Sequence, residues 1–446
     1  VPFINNSSKL VYNDIRERWL KPSVLSTLSI PKFLYSSLSK KKEGFLELNA
    51  PARYDGETVV SAYSGGLDST LVTILLKELY GFKEVIPVLV DVGQGTEEIQ
   101  VAFERAEKLN LNPIFFDAKE EFVKEYVFRC IKANGSYEGY PIGTSMSRVL
   151  IASKCVEVAK KYGAKYIAHG CTGKGNDQFR MEITAKYLDP EISVIAPVRE
   201  LNLTRAVEEE YLRKYGITPK PRKGKLGGDI NLWSHSIGSG QVEDLESQYP
   251  EDYIWTVPPE EAPEKPREVV IEFKSGVPVR VDDVKDPVEM ILYLNRVGGE
   301  NGVGRIDILE DGIIGLKSRE LYEAPAATIL LKTHLDLEHL TLTKEELRFK
   351  REVDRLWADM VYHAMWYHPL RRDLDAFIDS CEQYVNGTIW VKLYKGNVDI
   401  IKRESSSSLF SPEMRSLKRA GFDQRDSTGA VRISSLLYQL LGKLGR

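Results

Sequence analysis

Residues 84–92 read EVIPVLVDV, an almost unbroken apolar run with no polar face. A strand of this kind is buried on both sides, the condition of a parallel sheet sandwiched between helices. Similar strand-type stretches recur at residues 59–63, 113–117, 165–169 and 191–198. Helical patterns lie between them, from Leu67 to Tyr80, from about Glu97, through Ile131, and over residues 145–162. Strands alternating with helices predict an α/β fold with a parallel, doubly wound sheet. Ligands on such sheets sit beyond the carboxyl ends of the strands. Residues 64–68 and 170–177 both follow strand ends, so the two segments are expected to line one crevice.

A chain of 446 residues exceeds one ordinary core. Stretches rich in Pro, Lys, Gly and Glu at 216–228 and 257–268 mark a change of domain. We divide the chain into an N-terminal extension (1–55), a nucleotide-binding domain (56–222), an α+β domain (223–408) and a C-terminal tail (409–446). The α+β part is expected to hold strands near 269–273, 279–281, 306–310, 313–316, 389–393 and 398–402. Its helices are expected near 288–295, 326–334 and 344–379. In the tail, ISSLLYQLLGKL (433–444) has apolar residues at helical spacing. Such a stripe has to be covered, by its own chain or by a neighbouring subunit.

Composition excludes some functions. No run approaches the ~18 apolar residues of a membrane span. The net charge of -4 gives no general reason to seek nucleic acid, although residues 1–55 carry nine Lys/Arg against five acids. The four cysteines form no CxxC pair, so neither a zinc knuckle nor a disulfide framework is indicated, and no protein metal ligands are foreseen. There is no apolar secretory segment, and a cytoplasmic location is expected.

Chemistry concentrates in two segments. In AYSGGLDST (62–70), Gly65 and Gly66 let backbone approach a ligand and expose successive N–H groups. The helix that follows adds unpaired N-terminal donors and the positive end of its dipole. Together they suit a phosphate, with hydroxyls from Ser64, Ser69 and Thr70. Asp68 is out of place in an anion site unless it orients the loop or meets a metal ion. No GxxxxGK[ST] sequence follows a strand, so this is not a P-loop. In GCTGKGNDQFRME (170–182), Gly170, Gly173 and Gly175 supply a backbone able to wrap a ligand. Lys174 can neutralise phosphate, Asn176 and Asp177 can read an amine, and Arg180 a carboxylate. A glycine turn and a solvated surface loop are the plain alternatives.

The SGGLDS string resembles the pyrophosphate loop of the N-type ATP pyrophosphatases, and GCTGKGNDQFRME is similar to the GATGKGNDQVRFE signature of argininosuccinate synthetase. YPIGTSMSR (140–148), NLWSHSIGSG (231–240), GVGRIDILED (302–311), GLKSRELYEAPAA (315–327) and ESSSSLFSPEM (404–414) follow in that family's order. The resemblance runs from Thr58 to the end and leaves residues 1–55 outside. It implies an adenine nucleotide alpha hydrolase-like domain followed by a synthetase domain and a C-terminal oligomerisation helix. The implied reaction joins citrulline and aspartate using ATP and Mg2+, through a citrullyl-adenylate, in a homotetramer.

By the same resemblance, Ala62, Tyr63, Ser64, Gly65, Gly66, Leu67, Asp68, Ser69, Thr70, Val90 and Gly170 would bind ATP. Thr144, Thr172, Asn176 and Asp177 would hold aspartate. Tyr140, Ser145, Asn176, Arg180, Ser236, Glu310 and Tyr322 would hold citrulline. Asp68, Lys174 and Asp177 would be the catalytic groups. The sequence also departs from the family. KLGGDINLW (225–233) puts Gly227 and Ile230 where a citrulline-binding serine and a glutamate are usual. Ser234 and His235 replace a Gly-Arg pair, and Cys171 an alanine. These departures leave open a divergent paralogue that adenylates another ureido or amide acceptor. A tRNA-modifying ATP pyrophosphatase and a non-catalytic relative are the lesser alternatives.

Overall fold

Five strands, β1 (Thr58–Ala62), β2 (Glu84–Asp91), β3 (Ile114–Asp117), β4 (Tyr166–Ala168) and β5 (Ser193–Ile195), form a sheet of order β3-β2-β1-β4-β5. Every pairing in it is parallel. The computed structural model describes residues 41, 42, 45, 46, 48, 50–218, 228–246, 253–416, 418 and 421–446. Two compact units separate, Val1–Pro51 and Ala52–Arg446. The first contributes a short hairpin, Lys41–Lys42 against Phe45–Leu46. Most of the N-terminal extension, Gly227 and most of the stretch 216–228 lie outside the described residues.

Six consecutive residues of β2, Val85 to Val90, are buried, as the apolar run demands. Around the sheet stand α1 (Leu67–Glu78), α2 (Thr96–Lys108), α3 (Thr144–Tyr162), α4 (Asp177–Leu188) and α5 (Arg205–Arg213). The strand order reverses between β1 and β4, which is where a doubly wound sheet opens its crevice. The loops after these two strands are the SGGLDS and GCTGKGND segments. The sequence did not reveal α4 and α5: the first begins inside a glycine-rich string, and the second is only nine residues long.

The remainder of the second unit is antiparallel. One sheet has the order β6-β7-β11-β10, from β6 (Gly228–Ile230), β7 (His235–Ile237), β10 (Arg305–Asp311) and β11 (Lys317–Glu323). The other has the order β9-β8-β12-β13, from β8 (Arg267–Lys274), β9 (Val277–Val281), β12 (Gly387–Tyr394) and β13 (Asn397–Glu404). Helices α6 (Pro287–Glu300), α7 (Pro325–Thr341), α8 (Lys344–Tyr362) and α9 (Pro369–Glu382) pack with them. One apolar cluster joins residues of both halves, from Val88 and Met146 to Leu330 and Trp357.

Two expectations are corrected. Residues 313–316 are not a strand but the turn between β10 and β11, closed by the Gly315 N–H donating to the Gly312 carbonyl (2.7 Å) with Gly315 at φ +78°. Residues 344–379 are two helices. The chain turns left-handed at Ala364 (φ +64°), and α9 starts on Pro369, whose ring cannot continue a helix. The terminal helix, α10 (Asp426–Lys443), buries none of its residues on the described chain. Val431, Ile433, Leu436, Leu437 and Tyr438 all stand exposed on it.

Candidate active site

The phosphate-type loop is braced from within. Ser69 Oγ accepts from the Ser64 amide (3.2 Å), meets Ser64 Oγ (3.1 Å) and donates to the Gly66 carbonyl (3.2 Å). Two of the expected hydroxyls thus shape the loop. Gly66 precedes α1 without a side-chain cap, so the first amides of α1 keep free donors aimed off its end. Gly65 has φ +72°, and a Cβ there would lie 2.4 Å from the Ala102 Cα of α2. Arg105 grips the Gly65 carbonyl. Tyr63 is buried and donates to the Ala102 carbonyl, Thr70 and Leu67 are buried in the first turn of α1, and Ala62 is half-buried. Val90 is buried in the core at the end of β2.

Asp68 accepts from Arg205 (2.6 Å), which also contacts Glu208 (3.2 Å). Burial and the Asp68 charge push the Glu208 carboxyl up to about 7. Arg205 and Glu208 come from α5, and no local motif flagged them.

The second loop touches the first. A Cβ on Gly170 would lie 3.2 Å from the Asp68 carbonyl carbon and the Ser69 nitrogen, so only bare backbone fits there. Thr172 and Lys174 are exposed on this loop, and among the described residues no side chain holds either of them. Asn176 and Asp177, by contrast, are engaged. The Asn176 amide donates to Tyr362 Oη (2.9 Å) and its oxygen accepts from the Ile313 amide (2.9 Å). Asp177 sits between two guanidinium groups, accepting from Arg148 Nε (2.7 Å) and Arg180 Nη1 (2.9 Å). Burial alone would raise its carboxyl, but the two arginines hold it below the usual carboxylate range. Arg148 also bonds Asp229 (2.6 Å), which accepts from Thr144 Oγ1 (2.9 Å). Arg148 and Asp229 are therefore members of this cluster that the sequence alone did not single out.

Of the expected citrulline groups, Tyr140, Asn176, Arg180, Ser236, Glu310 and Tyr322 are linked to one another or through Tyr362, and Ser145 is not among them. In the registers of β7, β10 and β11, Ser236 faces Tyr322, and Ile308 faces Glu320. Tyr140 stacks on Tyr322 with ring centroids 4.1 Å apart, and Tyr137 on Tyr362 at 3.7 Å. Glu310 is buried and accepts from Tyr362 Oη (3.0 Å) and Tyr322 Oη (3.4 Å). Burial raises its carboxyl, and hydroxyls from Tyr140 and Tyr362 offset part of that rise. Arg180 lies under the Tyr362 ring, 5.0 Å from its centroid. Ser145 is buried in the first turn of α3. Tyr137 and Tyr362 were missed; each lies in a stretch whose only signal is aromatic content.

Of the departures, Ile230 pairs with His235 across β6 and β7. His235 is no vacant substitute: its Nδ1 bonds the fully buried Glu323 carboxylate (2.7 Å). Glu323 also accepts from the amides of Ile254, Trp255 and Thr256.

Comparison with known proteins identifies the family. Residues 58–218 match the model of the arginosuccinate synthase N-terminal HUP domain, and residues 227–441 that of the arginosuccinate synthase C-terminal domain. The chain is 50% identical over 385 residues to the argininosuccinate synthase of Methanopyrus kandleri, covering 86% of this chain and 98% of that one. It is 49% identical over 391 residues to that of Methanocaldococcus jannaschii, with the same coverage. With the parallel HUP sheet, the paired glycine loops and both family models in sequence, the chain belongs to the argininosuccinate synthase family.

Proposed function

We propose that the protein ligates citrulline and aspartate at the expense of ATP. The ureido oxygen of citrulline attacks the α-phosphorus, the bond to the β-phosphate oxygen breaks, and pyrophosphate leaves. The amine of aspartate then attacks the adenylated carbon, AMP departs, and the amine's proton passes to solvent. No protein nucleophile is needed. The work is alignment of three ligands and stabilisation of charge on the leaving group.

The observation that carries this reading is continuity of the crevice. Gly170 lies against Asp68 and Ser69, and from the same loop Asn176 reaches Tyr362 and through it Glu310. In this assignment the loop 64–70, with Ala62, Tyr63, Val90 and Gly170, takes ATP, and Lys174 counters phosphate charge. Thr144, Thr172, Asn176 and Asp177 take aspartate. Each Asp177 oxygen accepts one arginine bond, which leaves lone pairs for an ammonium. Tyr140, Ser145, Asn176, Arg180, Ser236, Glu310 and Tyr322 take citrulline.

Mg2+ is bound in such sites by one or two carboxylates together with phosphate oxygens. Asp68 and Glu208, both on Arg205 beside the loop, fit that requirement. When bound there, the ion would neutralise charge on the departing pyrophosphate.

The test is pyrophosphate release with each substrate omitted in turn. Release is expected to require citrulline, and steady turnover to require aspartate as well. Release only with another ureido compound, or only with tRNA, would replace this reading. Ile230 is the feature that favours another acceptor.

The exposed apolar face of α10 supports self-association, and a homotetramer in the cytoplasm is the assembly we assign. A chain ending at residue 421 is expected to lose that association. Light scattering that finds the same mass for the shortened and full chains would refute it. No helix among the described residues is long and apolar enough to cross a membrane.

A further inference from the structure

We propose that Glu320 is a second carboxylate of the acceptor site, which receives the α-ammonium of the amino-acid acceptor together with Glu310. The inference rests on the reading of the residues around Glu310 as the citrulline site.

Side chains alternate along a strand, so Glu320 and Tyr322 of β11 project to the same side. Ile308 and Ser236, opposite them in register, lie on that side too. Glu310, two residues beyond Ile308, completes the face. The Glu320 carboxylate lies directly over Gly238: a Cβ there would sit 2.2 Å from Oε1 and 2.3 Å from Oε2. A bare backbone thus clears the space the carboxylate occupies. Among the described residues no donor hydrogen-bonds it. A half-buried carboxylate without a donor is costly, so the group favours either a proton or a cation beside it.

The charged groups facing Glu320 are Glu310 from β10 and Asp177 and Arg180 from α4. Asp177 already takes both Arg148 and Arg180. Among the described residues Glu310 has only tyrosine hydroxyls as donors. Arg180 is the cation whose field reaches both glutamates, but it is paired with Asp177, so among the described residues neither glutamate has a hydrogen-bonded cation, and an ammonium supplies one.

A second consequence follows for protons. Burial, then repulsion from Glu310 and Asp177, pushes the Glu320 carboxyl up to about 8, against the pull of Arg180. Below that pH the free protein holds a proton on Glu320. An arriving ammonium favours the carboxylate, so the proton leaves to solvent as the acceptor binds. Acceptor affinity is therefore expected to strengthen as pH rises toward 8.

The experiment compares the unaltered enzyme with E320Q and G238A in the pyrophosphate-release assay between pH 6 and pH 8.5. E320Q is expected to raise KM for citrulline about 10–100-fold at pH 8. KM for ATP should stay within about 2-fold, as should KM for aspartate. The loss should shrink toward pH 6, because glutamine imitates the protonated acid but cannot ionise. Calorimetry in buffers of different ionisation enthalpy should detect proton release on citrulline binding at pH 7, and E320Q should abolish it. G238A, which pushes the carboxylate aside while keeping its charge, should also raise KM for citrulline. An E320Q enzyme with unchanged citrulline KM and pH profile overturns the role of Glu320 alone. Absence of citrulline-dependent release in the unaltered enzyme overturns the functional reading, and this role with it.

Discussion

Gly65→Ala is expected to cut kcat/KM for ATP by about 100-fold or more while leaving the fold intact. Two effects combine. Gly65 is left-handed at φ +72°, where alanine costs roughly 1–2 kcal/mol. More important, the new methyl would meet the Ala102 Cα at 2.4 Å and its Cβ at 2.5 Å. Helix backbone cannot turn aside as a flexible side chain can. The loop has to lift off α2, carrying with it the amides and the Gly65 carbonyl that Arg105 holds. Displacement of about 1 Å at a site that works by alignment costs on the order of 100-fold. Gly163→Ala is the control. It shares the left-handed geometry at φ +67°, but nothing lies within 4 Å of its Cβ. It should lose some stability and no activity. If G65A retains normal ATP kinetics with unaltered circular dichroism, the loop does not hold the phosphates.

Lys350→Met is expected to destabilise the protein by about 3–5 kcal/mol, the cost typical of removing one partner from a buried ion pair. Lys350 is 1% exposed, and its Nζ reaches Glu338 (2.7 Å), Asp354 (2.9 Å), Glu382 (3.4 Å) and the Lys132 carbonyl (2.7 Å). Three buried carboxylates from α7, α8 and α9 thus share one ammonium. Methionine preserves the packing of the stem and leaves those acids without a cation. Urea denaturation should report the loss as a lower midpoint, and K350M/E338Q should recover part of it. The same cluster holds Asn134, whose amide donates to Glu338 and Asp354 three residues before Tyr137. Citrulline kinetics should therefore weaken along with stability. A K350M protein as stable as the parent would show that the ammonium does not neutralise the cluster.

The sequence exposed what is encoded locally. An unbroken apolar run revealed β2 because a strand with two buried faces leaves no polar residues, and α3 was legible as one long helical stretch that is buried around most of its circumference. The glycine loops were visible because glycines follow a strand end and precede a helix, and because the longer strings around them match a known signature. Asp68, Asp177 and Arg180 were singled out by the chemistry of their local strings, and Glu310 entered through the family resemblance; the structure pairs Asp177 with Arg180 and Glu310 with Tyr362. What stayed hidden is what depends on long-range contact. Tyr362 reaches Asn176 across 186 residues of chain, and Arg205 reaches Asp68 across 137. No short window around either residue carries that information. The break between α8 and α9 was missed because apolar spacing runs through residues 363–368, where only Pro369 signals a stop. Arg148 lay inside a quoted motif, but its partnership with Asp177 needs α3 and α4 side by side.

The two stacked tyrosine pairs constrain how the protein can be rebuilt. Tyr137 and Tyr140 come from the hairpin Ser136–Tyr137 and Tyr140–Pro141 in the HUP half, whereas Tyr322 and Tyr362 come from the C-terminal half. Each ring is shaped to a mate encoded far away on the same chain. The nucleotide-binding half is therefore no interchangeable cassette. A chimera that imports it from another adenylating ligase would arrive with a foreign hairpin and lose both tyrosine stacks, even with the loop 64–70 retained.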